Sequence, residues 1–516
     1  MTTGFSTTAT GIVAQSETRR KETSSSLVAG QRAKLGQFFT PAPVADFMAS
    51  LARIDPAQFI RILDPGAGTG SLTASLVQRI LAEQPTAQIS ITACEVDPKL
   101  HPALRATLSD CVTAAGESGG YVEAELVASD FISWMWERER SVTEQDFFDL
   151  VIANPPYKKL SAGSFERKAV DNLCTETSNL YSAFLALGVH ALRPGGQLVA
   201  ITPRSFTNGL YFRPFRKYFL NRMSLDHIHI FEARNKVFAD TEVLQENVIF
   251  SATRTDLTER HPVLVSTSIS HSTEVHSRTV DYESIVHPND AELFIHISAD
   301  ESDAQMISIH ADFPSTLADI AQVSTGRVVD FRSKDHLRPD PVDGAVPLIY
   351  PLHMADGAIR WPVDGAKKNN AIMLNEETLK QTFPSGHYVV VKRLSSKEER
   401  RRVVAALFDA DDIACERIGF ENHVNVFHAN GRGLDKVLAR GLCLWLNSTL
   451  LDRLLRRFSG HTQVNATDLR SLRYPSRDQL IAIGENWPEA GWLDQERIDR
   501  LVERHLNLDS QTYRAR

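Results

Sequence analysis

Asn154, Pro155, Pro156 and Tyr157 follow the apolar run FDLVIA and carry the most specific chemistry in the chain. Each proline fixes φ and lacks an N–H, so the carbonyls beside them are acceptors held in one geometry. Asn154 adds a side-chain carbonyl. Two acceptors converging on a planar amino group can draw its hydrogens aside and turn the nitrogen lone pair toward an electrophile. Tyr157 supplies a face for stacking. Upstream, DPGAGTG from Asp64 to Gly70 closes another apolar run and opens a helical pattern. Gly66 and Gly68 let the backbone approach a ligand without a Cβ collision, beyond the carboxyl end of a first strand. The turn has Ser71 where a triphosphate-binding loop needs Lys, so a nucleoside triphosphate is disfavoured. Glu95 ends the next strand, 25 residues after Gly70, where a carboxylate suits both hydroxyls of a ribose. At a third tip, Ser129, Asp130 and Phe131 offer a carboxylate to an adenine amino group and a ring to its face.

Three chemical groups at successive strand tips require a sheet that presents them together. FIRILDPGAG reads as a strand with a glycine turn, and SLTASLVQRILAEQ as a helix with Leu72, Leu76, Ile80 and Leu81 on one side. AQISITACEVDP, AELVASDF, FFDLVIANPP and QLVAITP read as further strands, separated by the helical HPALRATLSDCVTAAG and NLYSAFLALGVHALR. Strands alternating with helices predict an α/β fold: a Rossmann-like, mostly parallel sheet over about 60–250. Residues 1–30, rich in Ser, Thr and Gly, are expected to form a flexible arm. The catalytic domain is placed at 31–255, a connecting region at 256–310, and a second, α+β domain at 311–516.

With 516 residues, 42% of them hydrophobic and 23% charged, the chain is long enough for two or more globular domains. No run of 18 apolar residues occurs and the start is polar, so neither a membrane span nor a secretory signal is expected, and the chain is placed in the cytoplasm. Cys94, Cys111, Cys174, Cys415 and Cys443 form no CxxC pair, which fits reduced, buried thiols and no cysteine metal site. His227 and His229 alternate along one strand without a third ligand at a recognisable spacing, so no metal is assigned. The formal net charge is −8, but it is unevenly placed. Residues 321–480 hold 24 Lys and Arg against 19 Asp and Glu, whereas 1–320 hold 27 against 38. Lys392 and Arg393 lie in the dense spot KRLSSKEERRR, and Arg456 and Arg457 in RLLRRFSGH. Such runs are solvated faces unless a polyanion supplies a partner.

DPGAGTG, Glu95, Asp130 and NPPY, in this order, resemble the gamma-class adenine-N6 DNA methyltransferases of the TaqI-like kind. LGQFFTPAPVADFMASL resembles the segment preceding that family's cofactor turn and implies Phe39 and Thr40 near the methionine end of S-adenosyl-L-methionine. KVFADTEVLQENVIF resembles a later strand pair that lends a second aromatic to a flipped base, with Phe250 the better match and Phe238 its rival. STGRVVDFR, containing Arg327 and Arg332, and the segment 444–476, containing Arg456, Arg457, Ser459 and Gln463, resemble the family's target-recognition domains. Donors there would meet phosphates and base edges. The resemblance implies transfer of a methyl group to an adenine flipped from double-stranded DNA, as the modification half of a restriction-modification pair with a cognate endonuclease for the same site. Positioning chemistry requires no metal, and since one base is modified per strand, a monomer that visits each strand in turn is favoured, with the oligomeric state left open. Methylation of a different planar amine or amide, or a non-catalytic DNA-binding relative, are the alternatives. The basic second half disfavours a glutamine substrate, and the intact Asn154, Tyr157 and Glu95 disfavour loss of catalysis.

Overall fold

The computed structural model describes residues 11–508, apart from 27–38, 56–58, 139–146, 172, 174–175, 232–246, 256–259, 270–273, 289, 291, 298–308, 311, 396–398, 459–462 and 490. The chain divides into two compact units, Met1–Ala299 and Asp300–Arg516.

The first unit is built on β1 (Ile60–Asp64), β2 (Gln88–Cys94), β3 (Tyr121–Val127), β4 (Phe148–Ala153), β5 (Leu192–Pro203), β6 (Met223–Phe231), β7 (Asn247–Arg254), β8 (Val263–Ser268) and β9 (His276–Val280). Their order in the sheet is β3-β2-β1-β4-β5-β7-β6-β8-β9. β1 to β5 pair in parallel, and β7 enters antiparallel between β5 and β6. The sheet is covered on both faces, which is why its strands read as almost unbroken apolar runs. Ile62, Ile91, Val199, Ile201 and Ile249 pack with the helices Ala42–Ser50, Ser71–Glu83 and His101–Ser118. Leu63, Val151, Leu198, Ala200 and Phe250 pack on the opposite side with Phe131–Arg138, Leu180–Ala191 and Arg213–Leu220. The alternation along each strand is the period-two rule of a pleated sheet. β1 and β4 are neighbours and run the same way, so the turn after Asp64 and the turn after Ala153 emerge side by side at one end.

Two expectations change here. Within the expected arm, Gly11–Ser26 is a helix with Ile12, Val13, Ser16 and Arg20 buried. Its composition hid it because polar contacts hold it: Glu17 accepts from the backbone N–H of Ala42 at 3.2 Å, and Arg19 donates to Thr107 at 3.3 Å. Residues 1–10 and 27–30 of that arm lie outside the described residues. The region 256–310 is not a mere connection either, since β8 and β9 extend the sheet, β8 pairing in parallel with β6. Their Ser, Thr and His content disguised them: β9 is the edge, and the Ser266 and Ser268 hydroxyls of β8 bond the His227 and His229 rings of β6 across the ladder. The division at Ala299 falls inside the span where the composition shifts.

The second unit is α+β. A six-stranded and a five-stranded sheet are built from short pieces, the longest being Ala345–Ile349, Tyr388–Lys392 and Val424–His428. Its largest core gathers Trp445 and the leucines of the helices Lys436–Leu446 and Thr449–Phe458, with Arg477–Gly484 and Gln495–Leu506 against them. Among the described residues, no helix is long and apolar enough to cross a membrane.

Candidate active site

Asp64 ends β1 with a fully buried side chain. One carboxylate oxygen accepts from the Thr73 hydroxyl at 2.8 Å, and the other, Oδ1, has no hydrogen-bond partner among the described residues. Burial raises its pKa to about 7, against the Thr73 bond, which lowers it. Beyond it the chain turns through Gly68 (φ +58°) and Gly70 (φ +85°), left-handed conformations that suit glycine. A Cβ on Gly70 would also come within 2.9 Å of Thr107 Cγ2. Thr107 holds this turn by donating its hydroxyl to the Thr69 carbonyl at 2.8 Å. Neither Thr73 nor Thr107 stands out in sequence, since a threonine in a helix carries no signal of the loop it supports.

Glu95, at the end of β2, accepts from the amides of Gly68 at 2.9 Å and Asp97 at 2.8 Å. Burial raises its pKa. Asp130 caps the helix Phe131–Arg138, its Oδ1 accepting from the Ser133 amide at 2.9 Å and hydroxyl at 3.2 Å. Phe39 lies over the glycine turn: a Cβ on Gly68 would meet its ring at 3.5 Å. Asp64, the glycines, Glu95 and Phe39 therefore come together. Phe131 differs from expectation: only 1% of it is exposed, because its ring packs against Phe184 at 5.0 Å, and it presents no open face.

The second cluster begins where β4 ends. Asn154 Nδ2 donates to the Thr40 hydroxyl at 3.0 Å, and its Oδ1 accepts from the Tyr157 hydroxyl at 3.2 Å. Thr40 and Phe39 are adjacent, so one dipeptide touches both clusters. The amide is thereby oriented. The carbonyls of Pro155 and Pro156 accept no hydrogen bond from a described residue. Asn154 and Gly66 are close, a Cβ on Gly66 reaching 4.0 Å from the Asn154 carbonyl. Tyr157 meets Tyr181 edge to face at 6.2 Å, and burial pushes its phenol pKa up, so it stays a neutral donor. The chain after it is pinned by Leu180 N to Lys158 O and Leu160 N to Ser178 O, both 2.8 Å.

Phe250 is not part of this site. It is 1% exposed in mid-strand, its ring against Phe206 at 5.4 Å and Phe219 at 5.7 Å. β7 is buried on both faces, so an aromatic inside it belongs to the core. Phe238 lies outside the described residues. In the second unit Arg327 and Arg332 are exposed, each guanidinium near a phenylalanine ring, Phe383 at 4.1 Å and Phe331 at 5.4 Å. Lys392, Arg393, Arg456 and Gln463 are engaged internally. Lys392 pairs with Glu399 at 3.0 Å, and Arg393 donates to the Asn422 carbonyl at 3.1 Å. Arg456 donates to Asp452 and to the Glu399 carbonyl, each at 2.8 Å. Gln463 bridges Leu394 through its backbone. Arg457 lies on the helix Thr449–Phe458, its side chain outside the described residues, as is Ser459. His227 and His229 share the Ser266 hydroxyl at 2.6 and 2.8 Å inside the sheet, as buried strand histidines.

A family model, the Eco57I restriction-modification methylase, matches residues 116–238. The chain is 43% identical over 488 residues to the Type II methyltransferase M.BsuBI of Bacillus subtilis, spanning 93% of this chain and 95% of that protein. It is 40% identical over 490 residues to the Type II methyltransferase M.PstI of Providencia stuartii, spanning 95% and 96%. Among solved structures, the Type IIL restriction-modification enzyme MmeI in complex with DNA is similar in fold, with a TM-score of 0.53 at 10% identity over 96% of this chain and 74% of that one. The parallel sheet with a reversed strand beside β5 is accordingly a Rossmann-like methyltransferase fold. Matching two such relatives over nearly the full length of each, the chain belongs to the Type II DNA methyltransferases of restriction-modification systems.

Proposed function

We propose that the chain is a site-specific DNA adenine-N6 methyltransferase that uses S-adenosyl-L-methionine and acts on an adenine flipped out of the duplex. The observation that carries this reading is the orientation of Asn154 between Thr40 and Tyr157, beside a Pro155 carbonyl that accepts nothing from the described residues. The cofactor fits the residues present. The partnerless buried oxygen of Asp64 suits an ammonium group, Glu95 suits ribose hydroxyls, and the left-handed glycines give the backbone room between them. S-adenosyl-L-methionine, when bound, supplies an electrophilic methyl carbon on a sulfonium.

The chain's own work is positioning. Asn154 Oδ1 and the Pro155 carbonyl accept the two amino hydrogens of adenine and leave the nitrogen lone pair available. Tyr157 stacks on the extruded ring, and Pro156 keeps the turn stiff between them. Flipping costs a few kcal/mol, which one base–aromatic stack of about 1–3 kcal/mol largely offsets. Asp130, with one oxygen engaged in capping, has the other for an adenine amino group. On the DNA side, Arg327 and Arg332 contact phosphates, while Lys392, Arg393, Arg456 and Gln463 shape the recognition unit through internal bonds, with Arg457 a further cation on that helix. The chain acts as a monomer and protects sites cut by a cognate endonuclease.

Transfer of tritium from labelled cofactor to duplex DNA, RNA or protein tests the reading, followed by sequencing of genomic DNA from an expressing host. Label in duplex DNA with N6-methyladenine at one repeated sequence is expected. Label in RNA or protein, or modification of cytosine, overturns it.

A further inference from the structure

Tyr211 is 82% exposed, the most exposed large hydrophobic side chain among the described residues. A single exposed ring is ordinary on its own, and its meaning comes from what holds it and what lies beside it. The backbone beneath it is firmly built. Arg216 is fully buried and donates to the carbonyls of Phe206 at 2.9 Å, Gly209 at 2.6 Å and Glu292 at 3.1 and 2.9 Å. Ile295 N to Thr207 O, at 2.8 Å, ties the same turn to the chain beyond β9. Burying a guanidinium is costly unless its donors are satisfied, and here that expense fixes a surface turn.

The turn lies beside the candidate active site. It follows the end of β5, one strand from the turn that carries Asn154. Phe212, next to Tyr211, packs on Tyr181 at 5.5 Å, and Tyr181 meets Tyr157 at 6.2 Å. The segment 204–217 holds Arg204, Arg213, Arg216 and Lys217 with no acid, and 155–163 holds Lys158 and Lys159 with none. Arg216 is buried and Arg213 pairs with Glu292 at 3.9 Å, so the exposed cations left at this turn are Lys158, Lys159 and Lys217.

We propose that Tyr211 is a DNA-contact residue of this site, stacking on a nucleotide next to the one extruded from the duplex. This rests on the proposed action on a flipped base. A ring on this rigid turn covers a base face that flipping leaves unstacked, and the exposed Lys158, Lys159 and Lys217 hold the phosphates on either side.

The test uses the full chain and a duplex carrying 2-aminopurine at the target position located by genomic sequencing. Tyr211→Ala is expected to lower duplex affinity and the fluorescence rise on flipping by about 5- to 150-fold, the range for one base–aromatic stack. Tyr211→Phe keeps the ring and stays within about 3-fold of wild type, and S-adenosyl-L-methionine binds both variants as it binds wild type. Unchanged duplex binding and fluorescence in Tyr211→Ala overturn the proposal, as does an equal loss in Tyr211→Phe, which would credit the hydroxyl. If wild type methylates duplex adenine and Tyr211→Ala does so equally well, this proposal alone fails. If wild type methylates no duplex DNA, the functional reading fails and takes it along.

Discussion

Replacing Asp64 by asparagine separates what the buried carboxyl does for stability from what it does for binding. Burial raises its pKa from 3.8 to about 7, so the folded protein holds this proton far more tightly than the unfolded chain. Folding then takes up a proton at this carboxyl between about pH 4 and 7, and its contribution to stability falls as pH rises across that window. At 1.36 kcal/mol for each tenfold change in proton affinity, about 4 kcal/mol is lost by pH 8. The side-chain amide of Asp64→Asn cannot ionise, so the variant is expected to gain stability at pH 8, by less than about 4 kcal/mol because that amide leaves a donor unpaired. A bound cationic ammonium favours the ionised carboxyl, so wild-type affinity for S-adenosyl-L-methionine rises from pH 6 to 8, while Asp64→Asn binds at least about 10-fold more weakly with a flat pH profile. Urea denaturation from pH 5 to 9 and calorimetric titration of the cofactor measure both. A stability difference between wild type and Asp64→Asn that does not change between pH 5 and 8, or an Asp64→Asn variant with undiminished affinity, would refute the argument.

Asn154→Ala and Tyr157→Ala should leave cofactor affinity nearly intact and lower kcat by about 100- to 1,000-fold, the scale of one preorganised polar contact at a reacting centre; single-turnover kinetics checks it, and undiminished turnover in both counts against the assignment. Gly70→Ala forces a left-handed alanine against Thr107 and should cost about 1–3 kcal/mol in denaturation experiments, with weaker cofactor binding. Burial lowers His227 to about 4 and His229 to about 3, so the folded state excludes protons that the unfolded chain binds below its ordinary 6.5. The contribution of these rings to stability is therefore complete above pH 6.5 and is lost as pH falls toward 4, by up to about 3 kcal/mol per ring. His229→Gln should flatten that acid limb; an unaltered limb would contradict the account.

Legible in the sequence is whatever the chain states locally. β1, β2 and β4 are apolar runs ended by Asp64, Glu95 and Asn154, and a parallel sheet brings such ends together whatever the loops between them do. Partners from distant chain are invisible. The helix Gly11–Ser26 has a polar composition, and its fit depends on Gln78, Thr107 and Ala42 being where the sheet puts them. Phe250 misleads because spacing from a motif cannot tell a strand interior from a strand tip. Lys392 and Arg456 read as free cations from their clustering, yet both turn to Glu399, Lys392 to its carboxylate and Arg456 to its backbone carbonyl.

The reversed seventh strand has a consequence for synthesis. β7 supplies the hydrogen-bond partners of β5 on one side and β6 on the other, so a nascent chain ending before Asn247 leaves that edge of β5 bare and β6, whose other neighbour β8 is also still to come, without a partner on either side. The cofactor turn and Asn154 have by then left the ribosome, but the layer beneath them is unsealed. Released chains ending before Asn247 and after Arg254 should therefore differ sharply in protease resistance, and equal resistance would show that the early strands hold together unaided.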